Sequence, residues 1–233
     1  MINTKTLLGF TLAEVLITLG IIGIVAAMTI PTLMTKFAKS RTETQLKTFY
    51  SKINQTVKMS IAENGDPEGW ITPNKSYTYK ENVEFLKTYF FPYMKNLGYY
   101  DCSGNHGEGA VCIALYDGGY MSFYVDGAGG DIIYFTNVNK DDVLNYHKSD
   151  ILIHNIQRHA FVFQFAKYRD AINKETISEN YVEPYIFEWD GTREGLKNNF
   201  RGCYKGCGKQ RICSFCTKLI QMSDWKIPND YPW

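Results

Sequence analysis

The feature that most constrains this chain is an apolar run that leads directly into an amphipathic helical pattern. Within residues 10–35 the only charged side chain is that of Glu14, and a bilayer-spanning helix needs roughly 20 apolar residues. Residues 36–64 contain neither proline nor glycine, and a glycine and a proline come soon after them. Apolar side chains in this second stretch recur at helical spacing: Leu46, Phe49, Tyr50, Ile53, Val57 and Ile61. The sequence therefore predicts one helix from Phe10 to about Asn64, with a membrane-spanning first half and a second half packed under a soluble head.

Glu14 places a carboxylate where hydrocarbon disfavours it. Insertion scales put the cost of a charge at the centre of a spanning helix at about 2.5–3.5 kcal/mol. A charge kept in such a segment is a functional hypothesis by default, and a positively charged partner would relieve its desolvation.

The residues around Glu14 carry a resemblance to a known family. Gly9-Phe10-Thr11-Leu12-Ala13-Glu14 resembles the cleavage and N-methylation site of type IV pilin-like precursors, which include type IV pilins and the pseudopilins of type II secretion and competence systems. The resemblance covers only about the first 35 residues. It implies that a prepilin peptidase cuts after Gly9 and methylates Phe10, and that Glu14 pairs with the N-terminal amine of a neighbouring subunit during assembly. Gly23 and Pro31 match positions where the family's helix is weakened, and proline removes a backbone donor.

The resemblance also implies an architecture. We expect an α+β, pilin-like fold, in which a long N-terminal membrane-spanning helix packs on an antiparallel β-sheet head with a disulfide-rich C-terminal region. The expected boundaries are a leader at 1–9, a helix at 10–64 and a globular head at 65–233, with residues 10–35 of the helix in the membrane or filament core and 36–64 amphipathic.

The implied function is that of a structural subunit, a minor pilin or pseudopilin. Its partners would be other such subunits, prepilin peptidase, the inner-membrane assembly platform and the lipid bilayer. The chain would cross the bacterial cytoplasmic membrane once, with its head outside the cytoplasm, and later enter a periplasmic or cell-surface filament.

Two other interpretations of the N-terminus are open. One is a secretory signal peptide cut after Ala27, and the other is a plain signal anchor that tolerates Glu14. The positive charges of Lys36, Lys39 and Arg41 alone favour a cytoplasmic location for the C-terminal side of the apolar run. We give the six-residue motif more weight than that statistical rule.

The head has the pattern of a β-meander with additional helices. Helical spacing favours a helix at Tyr79–Met94. The glycine-rich stretch Gly127–Gly130 is typical of a hairpin turn. It lacks the lysine that a phosphate-binding loop would contain. The C-terminal residues 224–233 are expected to lie over the sheet as an aromatic tail. Predicted strands are Ala110–Tyr116, Tyr120–Val125, Asp131–Phe135, Ala160–Phe165 and Tyr185–Trp189.

Six cysteines come after the apolar run. Outside the cytoplasm they would form disulfides, and we predict that Cys102 pairs with Cys112 across the loop before a strand. Fifteen pairings of six cysteines exist, so the connectivity of the remaining four stays open. Those four also have the ligand types of a closed zinc site, which is the alternative: Cys203, Cys207, Cys213 and Cys216.

The same region is basic and contains no acidic residue between residues 197 and 218. Cations with interleaved aromatic rings could bind nucleic acid, as competence-type minor pilins do in the resembled family, or an acidic surface polymer. The alternative is a solvated basic face, because the whole chain carries a net charge of only +1. The candidate binding residues are Lys197, Arg201, Lys205, Lys209, Arg211 and Lys218.

The sequence contains only weak indications of a metal site or an enzyme active site. The oxygen-rich stretch Asn137–Asp142 could hold calcium, although Asn139 or Asp141 could instead cap a short helix. The four histidines form no HExxH pair and no nucleophile motif accompanies them, so we expect no enzyme, no cofactor and no metal. A filament-borne binding module is thus the main alternative to a structural subunit, and an anchored or secreted enzyme is the third.

Overall fold

The computed structural model describes residues 10–73, 78–104, 106–127, 129–166, 180–207 and 213–233. The chain divides into two compact units, Met1–Arg41 and Thr42–Trp233. Helix α1, Leu12–Asn64, contributes residues to both units, and it ends at the residue that the capping pattern indicates.

The described part of the first unit is helical from Leu12 onward. The helix is long and apolar enough to cross a membrane, by length and composition. It remains continuous through Gly23 and Pro31, so any weakening at these positions on assembly stays a prediction.

The second unit contains a six-stranded sheet. All neighbouring strands are antiparallel and their order in the sheet is their order in the chain, which is a meander. This confirms the predicted α+β, pilin-like layout of a long helix with an antiparallel sheet. The strands are β1 (Asn96–Asp101), β2 (Val111–Leu115), β3 (Tyr120–Asp126), β4 (Gly129–Phe135), β5 (Ala160–Ala166) and β6 (Val182–Pro184).

Short helices fill the connections. Thr78 and Asn139 each begin a helix with a capping box, in which the cap side chain and the acidic side chain three residues later satisfy each other's backbone amides. The helices are α2 (Tyr79–Tyr89), α3 (Lys140–Leu144), α4 (Asp150–His159), α5 (Gly195–Asn198) and α6 (Cys216–Gln221), with 3-10 turns at Pro67–Gly69 and Tyr146–Lys148.

The head core forms where the amphipathic part of α1 packs on the sheet. Leu46, Phe49 and Ile53 are almost fully buried, as the helical spacing predicts. The Phe49 ring stacks on Tyr134 of β4 at a centroid distance of 4.2 Å and contacts Phe163 of β5 at 5.1 Å. Burying a side chain of this size stabilises the fold by roughly 1.5–3 kcal/mol.

Four parts of the head differ from the sequence prediction. Helix α2 ends at Tyr89, before the predicted Met94, because the residue preceding Pro92 is disfavoured in helical conformation. Strand β1 was not predicted, since its Asn-Leu-Gly-Tyr-Tyr-Asp sequence contains a glycine and lacks β-branched residues.

The last strand and the tail are the other two differences. The edge strand is Val182–Pro184 and not Tyr185–Trp189, where Glu188 adopts a positive φ of 63° that a strand does not accommodate. The tail contacts helices: the Trp225 ring lies 4.9 Å from that of Tyr50 on α1, and the Tyr231 hydroxyl donates to the Gln157 carbonyl on α4.

Candidate functional site

The N-terminal candidate site is built on the first turn of α1. Phe10 is 89% exposed, whereas Gly9 lies outside the described residues. The Glu14 carboxylate accepts hydrogen bonds from the Thr11 backbone amide and from the Thr11 hydroxyl, both at 2.8 Å. The Thr11 hydroxyl oxygen in turn accepts from the Glu14 amide at 3.3 Å. Thr11 and Glu14 thus form a capping box, a second role for Glu14 that the Thr-x-x-Glu spacing could have predicted.

The apolar side chains of the next turns are exposed. Leu16 is 61% exposed, Ile22 62% and Leu33 68%, and the 18-residue apolar window of the helix is entirely unburied. A Cβ added at Gly23 would meet no atom within 4 Å, so this face is open. A surface of this kind is stable only against lipid or against other apolar helices.

The six cysteines form three disulfides, and two of these lie in the C-terminal candidate site. Cys102 pairs with Cys112 as predicted, Cys203 with Cys216, and Cys207 with Cys213. All six cysteines are described, all are buried, and none is a free thiol. The zinc alternative is therefore wrong, because sulfurs held in disulfides cannot act as thiolate ligands.

Arg201 lies at the centre of the basic region, and it is already engaged. One of its guanidinium nitrogens donates to the Tyr185 hydroxyl at 3.0 Å and another lies 3.6 Å from the Glu188 carboxylate. The guanidinium also lies 5.4 Å from the ring centroid of Phe187 and 4.8 Å from that of Phe200. The positive charge of Arg201 therefore already interacts with a carboxylate, a hydroxyl and aromatic rings of the head itself.

Two other candidate cations are also held within the head. The Lys197 ammonium donates to Asp230 at 3.2 Å. The Lys218 ammonium donates to the Gln221 side-chain oxygen at 2.7 Å, and burial lowers the pKa of this lysine. Gln221 in turn donates to Glu183 on β6 at 3.1 Å, so this cation supports the sheet edge.

The remaining basic candidates are Lys205, Lys209 and Arg211. Lys205 is exposed and forms no ion pair with the residues that the structure describes. Lys209 and Arg211 lie outside the described residues. Of the basic candidates within the described ranges, Lys205 alone is exposed without such an engagement.

Sequence reasoning missed a polar cluster on the sheet. The Tyr124 hydroxyl on β3 donates to the Asp131 carboxylate on β4 at 3.0 Å. Burial raises the pKa of Asp131, against the opposing effects of the Tyr124 hydrogen bond and the positive charge of Arg201. Burial and the negative charge of Asp131 together raise the pKa of Tyr185 to about 12. The strand-like alternation of this stretch gave no sign that its polar positions face each other.

The oxygen-rich stretch proposed for calcium is a helix start. The Asn139 side-chain oxygen accepts from the Asp142 amide at 2.8 Å, and Asp142 accepts from the Asn139 amide at 3.2 Å and from the Ser149 hydroxyl at 2.8 Å. These oxygens already cap α3 and its junction with α4, so the alternative that Asn139 caps a helix is confirmed. Asn139 and Asp142 are thereby less available as calcium ligands.

Two described histidines serve packing. His106 is buried, with Nε2 2.9 Å from the Val143 carbonyl oxygen. Nδ1 of His159 lies 3.0 Å from the Thr136 carbonyl oxygen, and burial lowers the pKa of His159. The sulfurs near His106, those of Cys102 and Cys112, are held in a disulfide. The prediction that the chain is not an enzyme stays a prediction.

Comparison with known protein families gives a match over most of the chain. Residues 32–233 match the model of a family described as a family of unknown function, DUF6613. No curated protein and no solved structure matches the chain. The match covers the amphipathic part of α1 together with the whole head, including all six cysteines and the six-stranded sheet. By this match over most of its length, the chain belongs to the family of unknown function DUF6613.

Proposed function

We propose that this protein is a structural subunit of a type IV pilus-like or type II secretion-like filament, a minor pilin or pseudopilin. A prepilin peptidase would cut between Gly9 and Phe10 and methylate Phe10. The subunit would then sit in the bacterial cytoplasmic membrane through its apolar helix, with its head outside the cytoplasm, until the assembly platform moves it into a filament.

The observation that carries the proposal is the position of Glu14. It is the only charge in residues 10–35, and the surrounding helix exposes its apolar side chains. A carboxylate in such a helix needs a cation or hydrogen-bond donors. Thr11 supplies donors within the chain, and the methylated amine of a neighbouring subunit would supply the missing positive charge.

The head is consistent with export. Three buried disulfides suit a compartment outside the cytoplasm, where thiols are oxidised. The sheet packs on residues of α1 that lie beyond the apolar segment, so the helix that would enter a filament core also belongs to the head core.

The alternative function, DNA or surface binding through the basic C-terminal region, draws less support from the described residues. Lys197, Arg201 and Lys218 are engaged by acceptors within the head. Lys205, Lys209 and Arg211 would have to carry such binding, and a salt-dependent affinity for DNA would indicate it.

Processing is the first experiment. Intact-mass and N-terminal peptide analysis of the protein from its host's membranes should find a chain that begins at Phe10 and is heavier by one methyl group. A chain that begins at Met28 would indicate an ordinary signal peptide and would overturn the proposal.

Assembly is tested through Glu14. Replacing Glu14 with Ala should leave processing and the head intact but reduce incorporation into sheared filaments at least about tenfold, since each 1.4 kcal/mol corresponds to a factor of ten. Glu14→Gln separates the two roles of the side chain, because glutamine also serves a capping box but carries no charge. Thr18→Ala in the same segment is the control, and we expect normal incorporation. Normal incorporation of Glu14→Gln would contradict charge pairing.

A further inference from the structure

The head contains a surface groove to which the proposed function assigns no role. It has a volume of about 310 Å³ and lies among α1, the 93–95 segment between α2 and β1, and the end of β2 with the turn after it. Ligand pockets in proteins commonly measure about 300–1,000 Å³, so this groove has room for a small molecule.

The floor of the groove is apolar. Phe49 and Ile53 of α1 and Leu115 of β2 contribute buried side chains to it. Two methionines also line the groove, Met94 and the 44% exposed Met59. Methionine is unbranched and polarisable and adapts to ligands of varied shape.

The rim of the groove is positively charged. Lys52 and Lys95 both line it and are exposed, and neither forms an ion pair with the part of the chain that the structure describes. The one acidic residue of the lining, Asp117, is hydrogen-bonded to donors of the head. Its carboxylate accepts from the Gly119 amide and from the Tyr134 hydroxyl, both at 2.9 Å.

From this combination we propose that the groove binds a small amphipathic organic anion, with a compact apolar body on the floor and a carboxylate-type head between Lys52 and Lys95. An apolar floor favours an aromatic or short alkyl group. The two ammonium groups outnumber the single carboxylate of Asp117, and this net positive charge favours an anion over a neutral or cationic molecule of the same shape. The binding site is independent of the filament proposal, since it requires neither processing nor assembly.

The test uses the full chain in lipid nanodiscs with 13C-methyl-labelled methionine, and 3-phenylpropanoate as the probe. The methyl signals of Met59 and Met94 should shift on titration, while those of the buried Met121 and of Met222, which do not line the groove, stay in place. The alcohol 3-phenylpropan-1-ol and the cation 3-phenylpropylamine are the matched ligands of the same shape. Neither can form the one or two exposed ion pairs that the carboxylate would make with the lysines. We therefore expect both to bind at least about fivefold more weakly than the carboxylate.

The lysines are tested in the same experiment. The double substitution Lys52→Gln and Lys95→Gln should weaken 3-phenylpropanoate about tenfold, with two exposed ion pairs removed. Lys47→Gln, on the same helix but outside the groove, is the control and should leave the affinity unchanged. Absence of shifts at Met59 and Met94, equal binding of the cation, or an unchanged affinity of the double variant would each overturn the proposal.

Discussion

Two phenylalanines on one helix show how the two units of this protein differ. Phe37, in the first unit, is 71% exposed, whereas Phe49, in the second, is 4% exposed and stacks on the sheet. The residue type and the helix are the same. The difference lies in whether this chain supplies the apolar partner, and in the first unit the exposed apolar surface requires a partner from outside it.

The polar side chains differ in the same way. In the first unit Thr18, Thr29 and Thr35 donate to carbonyls of their own helix turn, at 3.0, 2.9 and 3.0 Å. Such local hydrogen bonds leave no donor that needs water, as a membrane requires. In the second unit Tyr50 and Asn54 reach distant β6, at Glu183 and Val182. These three threonine hydroxyls are satisfied within their own helix, whereas Tyr50 and Asn54 use their polar groups to fix tertiary structure.

The largest expected effect tests this contrast directly. Phe49→Ala should lower the free energy of unfolding of the head by about 3–5 kcal/mol, because it leaves a cavity between helix and sheet. Phe37→Ala should change it by less than about 0.5 kcal/mol. Urea titration of the full chain in nanodiscs, monitored by tryptophan fluorescence, measures both, since all four tryptophans lie after residue 64. Similar losses for the two variants would show that the first unit contributes to head stability and would break the comparison.

A disulfide gives the next effect. Replacing Cys203 and Cys216 together by alanine should lower the free energy of unfolding by about 3 kcal/mol, because the bridge closes a loop with a sequence separation of 13. The same urea titration measures the loss. Because the bond acts within the second unit, the proposed membrane insertion of the first unit should be unaffected, as carbonate extraction would show. The wild-type protein should also show no titratable thiol after denaturation without reductant. Four reactive thiols would contradict the observed pairing.

A smaller effect is expected at the clamp between α1 and the sheet edge. The Asn54 side-chain amide donates to the Val182 carbonyl at 2.9 Å, and its oxygen accepts from the Val182 amide at 3.2 Å. Asn54→Ala leaves these buried backbone groups without the partner, at a cost of about 2 kcal/mol. Gln55→Ala, at the exposed neighbouring position, is the matched control and should change stability by less than about 0.5 kcal/mol. Equal effects at the two positions would mean that the clamp contributes nothing specific.

The correct predictions rest on local sequence patterns that each indicate only one kind of structure. The helical spacing of Leu46, Phe49 and Ile53 and the glycine-rich turns of the meander identified the core face of α1 and most of the sheet. The predicted pair of Cys102 and Cys112 rested on their closeness in sequence. These features depend on neighbours within a few residues, which a sequence displays.

Features that depend on distant neighbours were not predicted. Strand β1 exists because β2 offers it a pairing edge, although its own residues have weak strand propensity. Arg201 looked like part of a binding surface, but Tyr185 and Glu188 engage it from another segment. A charge run in a sequence does not reveal which cations the fold pairs internally.

The smallest expected effect concerns the pH dependence of the second unit. Burial tends to raise the pKa of Asp230, but hydrogen bonds from Lys197 and Arg193 outweigh it and lower that pKa below its ordinary value. A carboxyl with a lowered pKa in the folded state stabilises the fold at pH values above its unfolded pKa of about 3.9, and this contribution is lost as the pH falls through the folded pKa. Asp230→Asn should therefore melt about 1–3 °C below wild type at pH 5–7, since the pair is largely exposed. This difference should shrink below pH 4, and added salt should reduce it at neutral pH. Thermal melts of both proteins between pH 2.5 and 7 measure it. A difference that stays constant or grows on acidification would contradict the assignment and place the acid sensitivity of the head elsewhere.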